Sequence, residues 1–195
     1  MIKIALVGDI GSGKSYFSRL FKFPVFNADL EVSKIYDNDK NFNKLIKKKF
    51  PRQIFSFPLK KEEIIKCILS NSKNLKKLSK IVHPIVRKKL NIFLKKNKNK
   101  KYVILDIPLY LENKLRLKND VIIYIDSKNK DIKSRLLKRK SFNNKLLNLF
   151  KKIQLPLLTK KKKSDFIIKN DFTTKKAKRS VKYILTQLRH ERNNT

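Results

Sequence analysis

Residues 8–15 read Gly8-Asp9-Ile10-Gly11-Ser12-Gly13-Lys14-Ser15, a full match to the pattern G-x-x-x-x-G-K-[ST]. The match lies directly after the apolar run Ile2 to Val7 and directly before a stretch of helical period from Lys14 to Phe23. Strand, glycine loop and helix in that order is the context in which this pattern folds as a phosphate-binding loop, or P-loop. Backbone N–H groups can surround phosphate oxygens only where no side chain blocks the approach, and the positive end of the following helix adds to the cradle. The chain has three glycines among 195 residues, and all three stand in this loop. A composition so poor in glycine retains it where φ > 0 or a close approach leaves no substitute. Gly11, Ser12, Gly13, Lys14, Ser15 and Tyr16 are therefore the candidate nucleotide-binding residues. Lys14 is expected to reach the β- and γ-phosphates of a bound nucleotide, and Ser15 to ligate Mg²⁺.

Working outward from the loop, five short runs are rich in β-branched or aromatic residues: Ile2 to Val7, Pro24 to Asn27, Tyr102 to Ile107, Val121 to Asp126 and Asp165 to Lys169. They are nearly continuous rather than alternating, which suits strands buried on both faces. Segments of helical period lie between them: Asp29 to Tyr36, Phe42 to Lys49, Lys61 to Ser70, Asn74 to Ile81, Pro84 to Lys95, Asp131 to Lys140 and Lys175 to Leu188. This alternation predicts an α/β fold with a parallel sheet. Residues 30–97 contain no convincing strand, so a helical insertion is expected between the second and third strands. A second excursion over 131–163 separates the fourth and fifth. The expected layout is a nucleotide-binding core of 1–29, 98–130 and 164–195, a helical domain of 30–97 and a lid of 131–163.

The chain carries 51 Lys plus Arg against 15 Asp plus Glu, a formal charge of +36. A polyanionic partner is one reading of that number. The lysines are nevertheless spread over the whole length, many beside Asn, Ile and Phe, as a bias towards A- and T-rich codons would give. The compositional reading is preferred, and no specific nucleic-acid partner is expected. The lysine runs 47–49, 95–101 and 160–163 read as helix ends and loops. A single cysteine, Cys67, excludes an internal disulfide and makes a poor metal site, which points to a reducing, cytoplasmic compartment. No apolar stretch approaches the roughly 18 residues of a membrane span, so no membrane association is expected.

The P-loop alone does not separate kinases from helicases or transporters, although the absence of an N-K-x-D guanine-reading motif counts against a GTPase. Further motifs resemble, in order, those of the dephospho-CoA kinase family. Pro24-Val25-Phe26-Asn27-Ala28-Asp29 resembles its V-P-V-x-D-A-D, and Asn74 to Leu90, NLKKLSKIVHPIVRKKL, resembles its L-x-x-L-x-x-I-x-H-P-x-V. Ile107-Pro108-Leu109-Tyr110-Leu111-Glu112 resembles P-L-L-F-E, Arg135 and Arg139 match paired lid arginines, and Ser164 to Asn170 resembles A-D-x-V-I-x-N. The chain departs from the family pattern at Val7, where many members have Thr, at Asp9, where most have Gly, and at Asn27, which replaces the first Asp of D-A-D.

The resemblance implies a P-loop NTPase fold of the nucleoside-phosphate kinase type, a parallel five-stranded sheet with a helical insertion and a lid. It implies ATP and Mg²⁺ as cofactors and dephospho-CoA as the acceptor, phosphorylated on its ribose 3'-hydroxyl. Another nucleoside or nucleotide kinase, or a nucleic-acid-binding P-loop ATPase, is the alternative. Asp29 is implied as the catalytic carboxylate facing the acceptor; the residue would equally serve as N-cap of a helix starting at Leu30. Arg135 and Arg139, four apart, would share one helix face and turn towards the transferring phosphates, or else belong to a solvated basic face. His83 precedes Pro84 at an expected helix start, a capping arrangement that the resemblance also implies as an acceptor contact, together with Pro108 and Leu109. Asp106, at the end of the third strand, would hold Mg²⁺ through water or cap the next turn. Glu112 and Asp120 match acidic positions of the family, and Asp126 would cap the helix after the fourth strand.

Overall fold

The computed structural model describes residues 1–116, 120–139 and 142–193. In chain order the elements are β1 (Ile2–Gly8), α1 (Lys14–Leu20), β2 (Val25–Asn27), α2 (Ala28–Asn38), α3 (Lys40–Lys49), α4 (Lys61–Ser70) and α5 (Ser72–Lys96). They continue with β3 (Tyr102–Asp106), β4 (Asp120–Ser127), α6 (Asn129–Leu137), α7 (Asn144–Ile153), α8 (Leu157–Lys162), β5 (Phe166–Asn170) and α9 (Thr174–Asn193). The five expected strands form one sheet in the order β2-β3-β1-β4-β5. β1 runs parallel to both β3 and β4, pairing Ile4 with Ile104 and with Val121, and β4 runs parallel to β5. The strands bear helices on their connections, as a parallel sheet requires.

The chain divides into two compact units, Met1–Phe26 with Asn99–Thr195, and Asn27–Lys98. In the first unit Ile4, Leu6, Ile104, Ile123 and Ile125 of the central strands join Phe17 and Phe21 of α1 and Ala177, Val181, Ile184 and Leu188 of α9 in one core. The last four recur at the spacing that gives a helix one apolar face. Charge also enters this unit's interior. Asp120 pairs with Lys3 across β4 and β1 at 2.7 Å and accepts a hydrogen bond from the Tyr110 hydroxyl. Burial first, then that bond to Asp120, holds the Tyr110 hydroxyl far above its ordinary pKa.

The second unit is built from α2 to α5 around Ile35, Phe42, Ile46, Ile64, Ile68, Leu78 and Val82. Asn74 Nδ2 donates to the Cys67 carbonyl at 2.8 Å and so ties α5 to α4. One expectation is corrected here. The separate helices expected over Asn74 to Ile81 and Pro84 to Lys95 are a single helix of 25 residues, with Pro84 inside it rather than at its start. Proline there lacks the N–H that would bond the carbonyl four residues back. The long amphipathic pattern on both sides of it carries the helix through.

Two helices of the second excursion, α7 and α8, were not expected from the sequence. The segment over Asp131 to Lys140 is also corrected: α6 begins at Asn129 and ends at Leu137. Lys140 lies outside the described residues.

Candidate active site

β1 delivers the chain into the P-loop between two neighbouring strands, and all three glycines have positive φ: 147° at Gly8, 87° at Gly11 and 99° at Gly13. A Cβ on Gly8 would stand 2.7 Å from the Ile125 carbonyl oxygen, and one on Gly13 would stand 2.8 Å from Asn170 Nδ2. At Gly8 the obstacle is backbone and excludes a side chain outright, whereas at Gly13 it is a side-chain amide that would have to move; both also have a dihedral that favours glycine. The loop is latched from outside: the Ser12 carbonyl accepts hydrogen bonds from Ser127 Oγ at 3.0 Å and Asn170 Nδ2 at 2.8 Å. Those donors end β4 and β5, so the sheet's carboxyl edge fixes the loop. Ligand sites of parallel α/β sheets lie at that edge.

Gly13 N-caps α1 in a left-handed conformation without a side-chain cap, and no acidic residue stands in the helix's first turn. Its amide dipoles are left for an anion. Lys14 Nζ folds onto the loop and donates to the Asp9 carbonyl at 2.8 Å and the Gly8 carbonyl at 3.3 Å. Ser12 Oγ is fully buried and meets no hydrogen-bond partner among the described residues. An orphaned hydroxyl within a cradle that a Cβ would fill fits a nucleotide phosphate. Ser15, next in the loop, and Asp106, buried at the end of β3, are oxygen donors of the kind that Mg²⁺ takes. Among the described residues no three His, Cys, Asp or Glu side chains gather to make an all-protein metal cage. That donor set suits a cation held by one or two side chains together with phosphates and water.

Asp9, the acidic departure within the loop, does not point freely outward. It is only 8% exposed, and its Oδ1 accepts the Ile10 N–H at 2.7 Å. Tyr16 is exposed on α1, edge-on to Phe17.

Arg135 lies in α6 with its guanidinium 4.3 Å from the centroid of the Phe172 ring, whose edge is the next nearest group to the Gly13 Cβ position. Sequence reasoning missed Phe172; a lone aromatic after a strand carries no motif of its own. The shared helix face expected for Arg135 and Arg139 is not formed. α6 ends at Leu137, its C-cap is Lys138, and Arg139 lies beyond it with its N–H on the Leu136 carbonyl. Pro108 and Leu109 begin the tight turn after β3, where Leu109 has a φ of 57°. Asp126 does not cap a helix either. It lies within β4, receives Lys161 Nζ at 3.0 Å, and leaves α6 with Lys128 at its N-cap and no side-chain cap bond.

In the second unit, Asn27 is the N-cap of α2, its Oδ1 accepting the Leu30 N–H at 2.9 Å. Asp29 therefore sits in the helix's first turn, where a carboxylate favours the helix dipole, rather than at its cap. Tyr36 lies two turns further along α2, and its hydroxyl is pushed up to about 12, first by burial and then by the charge of Asp29. His83 is half-buried mid-way along α5; burial first, then the Arg87 charge, lowers its proton affinity. It starts no helix, so the capping role is lost.

With this geometry in place, comparison with known proteins is informative. Residues 2–176 match the model of the family described as dephospho-CoA kinase. A dephospho-CoA kinase of Wolbachia sp. subsp. Brugia malayi is 35% identical over 190 residues, covering 95% of this chain and 97% of that protein. One from Bacillus cereus is 30% identical over 194 residues, covering 94% and 96%. Among solved structures, TT1252 from Thermus thermophilus superposes with a TM-score of 0.74 at 24% identity, covering 96% of this chain and 97% of that one. A dephospho-CoA kinase from Campylobacter jejuni gives 0.64 at 21%, covering 95% and 96%. At those identities the structures speak for the fold.

Proposed function

The chain belongs to the dephospho-CoA kinase family, whose reaction transfers the γ-phosphate of ATP to the ribose 3'-hydroxyl of dephospho-CoA, and on that premise we propose how its residues divide the work. The single observation that carries the proposal is the P-loop itself: three positive-φ glycines, Gly8 closed to a Cβ by backbone, latched to the ends of β4 and β5.

Gly11, Ser12, Gly13 and Ser15 hold the phosphates through backbone N–H groups, and Tyr16 borders the nucleotide. Lys14 leaves the Gly8 and Asp9 carbonyls for the β- and γ-phosphates, where its charge grows in value as negative charge shifts during transfer. Ser15 Oγ and Asp106 would hold Mg²⁺, which would supply charge neutralisation at the phosphate oxygens. Arg135 and Arg139 add guanidinium groups towards the same oxygens from the lid over 131–163. The lid also keeps water from competing with the acceptor.

Asp29 orients the 3'-hydroxyl and takes its proton as the oxygen attacks in line. Tyr36, which keeps its proton at neutral pH, shares the helix with that carboxylate. His83, Pro108 and Leu109 contact the acceptor. A neutral imidazole at pH 7 suits a hydrogen bond to a polar acceptor group rather than an ion pair. No helix among the described residues is long and apolar enough to cross a membrane. The single thiol, buried as Cys67, supports a reducing compartment, and we assign the cytoplasm.

Asp29→Asn tests the division of labour. The variant keeps size and helix-start preference while removing the proton acceptor. Turnover should fall by roughly 10²-fold or more with ATP affinity unchanged. Wild-type turnover at unchanged thermal stability would remove Asp29 from the chemistry.

A further inference from the structure

The run Lys160 to Lys163 reads as a helix end or loop, yet Lys160 is only 3% exposed. Its Nζ donates to Glu112 Oε1 at 2.7 Å and to Gln154 Oε1 at 2.9 Å, and its carbonyl accepts from Ser164 Oγ at 2.8 Å. Glu112 is almost as well covered, with 10% of its side chain exposed, and the same Oε1 accepts the Leu155 N–H at 3.0 Å. A buried ion pair is costly unless its geometry is good and its remaining hydrogen-bonding capacity is used. Here one carboxylate oxygen serves a backbone N–H and an ammonium, and the ammonium also reaches an amide.

The two sides of this cluster differ in kind. Glu112 stands on a stiff turn that starts two residues after Asp106. Asn113 N–H bonds the Leu109 carbonyl at 2.9 Å, Lys114 N–H bonds the Leu111 carbonyl at 3.1 Å, and Leu109 and Lys114 both hold positive φ. Tyr110 within that turn is buried and bonded to Asp120 of β4. Gln154, Leu155 and Lys160 belong to the stretch from the end of α7 into α8. α7 itself has no buried residue, although Leu146, Leu147, Phe150 and Ile153 give it an apolar stripe. α8 is fastened a second time by Lys161 on Asp126. A helix without a buried side chain therefore joins, at Gln154, a segment pinned to the turn that follows the metal-candidate strand.

We propose that the Glu112–Lys160 pair, with Gln154 and Leu155, is the fixed side of a hinge about which α7 moves during phosphoryl transfer, making Glu112 and Lys160 positioning residues for the reaction. The proposal rests on the kinase reading above; it gives a role to Glu112, which closes the Ile107–Glu112 motif without an assigned function, and adds Lys160 and Gln154. The pair acts through the placement of α7 and touches neither nucleotide nor acceptor.

The test uses the full chain carrying Phe150→Trp on α7; no other tryptophan is present, so its fluorescence reports that helix alone. In this background Glu112→Leu/Lys160→Met replaces the ion pair by apolar groups of similar bulk, a change that commonly leaves stability intact. Three quantities are measured: thermal stability, ATP affinity by equilibrium binding, and the rates of ADP formation with dephospho-CoA and of the fluorescence change on adding ATP. The expected result is a melting temperature within a few degrees, an ATP affinity within about threefold, and a loss of about tenfold or more in both rates. Lys160→Arg, which keeps the charge and the bond, should retain both rates. A double variant with both rates unchanged, one that loses only the activity matching its unfolded fraction, or one that does not fold would each make the pair a structural staple and overturn the proposal. If the unmodified chain forms no ADP with dephospho-CoA, the kinase reading fails, while the fluorescence response to ATP still decides the hinge.

Discussion

Replacing the loop glycines one at a time by alanine separates backbone strain from steric closure. At Gly8, φ of 147° puts an L-residue where it rarely sits, and the new Cβ would meet the Ile125 carbonyl oxygen at 2.7 Å. That oxygen belongs to β4, hydrogen-bonded in register with β1, so it cannot turn aside. Strain of about 1–3 kcal/mol and a clash of about 1–3 kcal/mol add to about 2–6 kcal/mol. At Gly13 the Cβ would meet Asn170 Nδ2 at 2.8 Å, a side-chain group that can leave. Its departure sacrifices its bond to the Ser12 carbonyl and the one its Oδ1 accepts from the Phe172 N–H, about 1 kcal/mol each, on top of strain of about 1–2 kcal/mol. At Gly11 the Cβ would meet only Leu136 and Ile132 side-chain atoms at 3.0 to 3.1 Å, which can shift, leaving strain of about 1–2 kcal/mol. The predicted order of destabilisation is Gly8→Ala, then Gly13→Ala, then Gly11→Ala. At about 2–4 °C per kcal/mol for a chain of this size, the first should melt roughly 4–24 °C below wild type. Differential scanning fluorimetry with and without ATP measures both the loss and the ligand response. Gly13→Ala should show the weaker ATP-induced shift for its stability, because its substitution displaces the latch on the cradle. Gly8→Ala as stable as wild type, or less damaging than Gly11→Ala, would refute the steric reasoning.

Further outcomes follow from charge. Burial, with the Arg87 charge second, lowers the pKa of His83, so between that value and about 6.5 the unfolded chain binds more protons than the folded one. Stability contributed by this group is full above about pH 6.5 and is lost as pH falls towards the folded value; His83→Gln should flatten the melting-temperature profile between pH 7 and 5, and an unaltered profile would contradict the assignment. The +36 charge, read as compositional, predicts weak RNA binding that falls steeply with salt and shows no sequence preference. Nanomolar binding of one defined RNA at physiological salt would overturn that view.

The sheet was legible because its strands are short continuous apolar runs, and the P-loop because glycine occurs nowhere else. What escaped reading was set in part by local competition between signals and in part by contacts distant in sequence. Pro84 looked like a helix start, but the amphipathic pattern on both sides of it outweighed one missing hydrogen bond. Arg135 and Arg139 were read as helical neighbours by spacing, whereas the helix ends between them and Arg135 is held instead by Phe172, which is 37 positions away. Lys160 read as part of a basic helix end or loop; Glu112, far earlier in the chain, and Gln154 take its ammonium in the interior. Asn27, a departure from the family pattern, took the cap that Asp29 was thought able to fill.

The most direct test of the account is ADP formation in the presence of ATP and Mg²⁺ with dephospho-CoA, AMP, UMP and adenosine supplied in turn as acceptor, and with Mg²⁺ removed by chelation as control. Dephospho-CoA should support turnover far above the other three, with phosphate appearing on its ribose 3'-oxygen and with transfer abolished by the chelator. A mononucleotide or adenosine as the better acceptor, or ADP release that ignores all four, would contradict it.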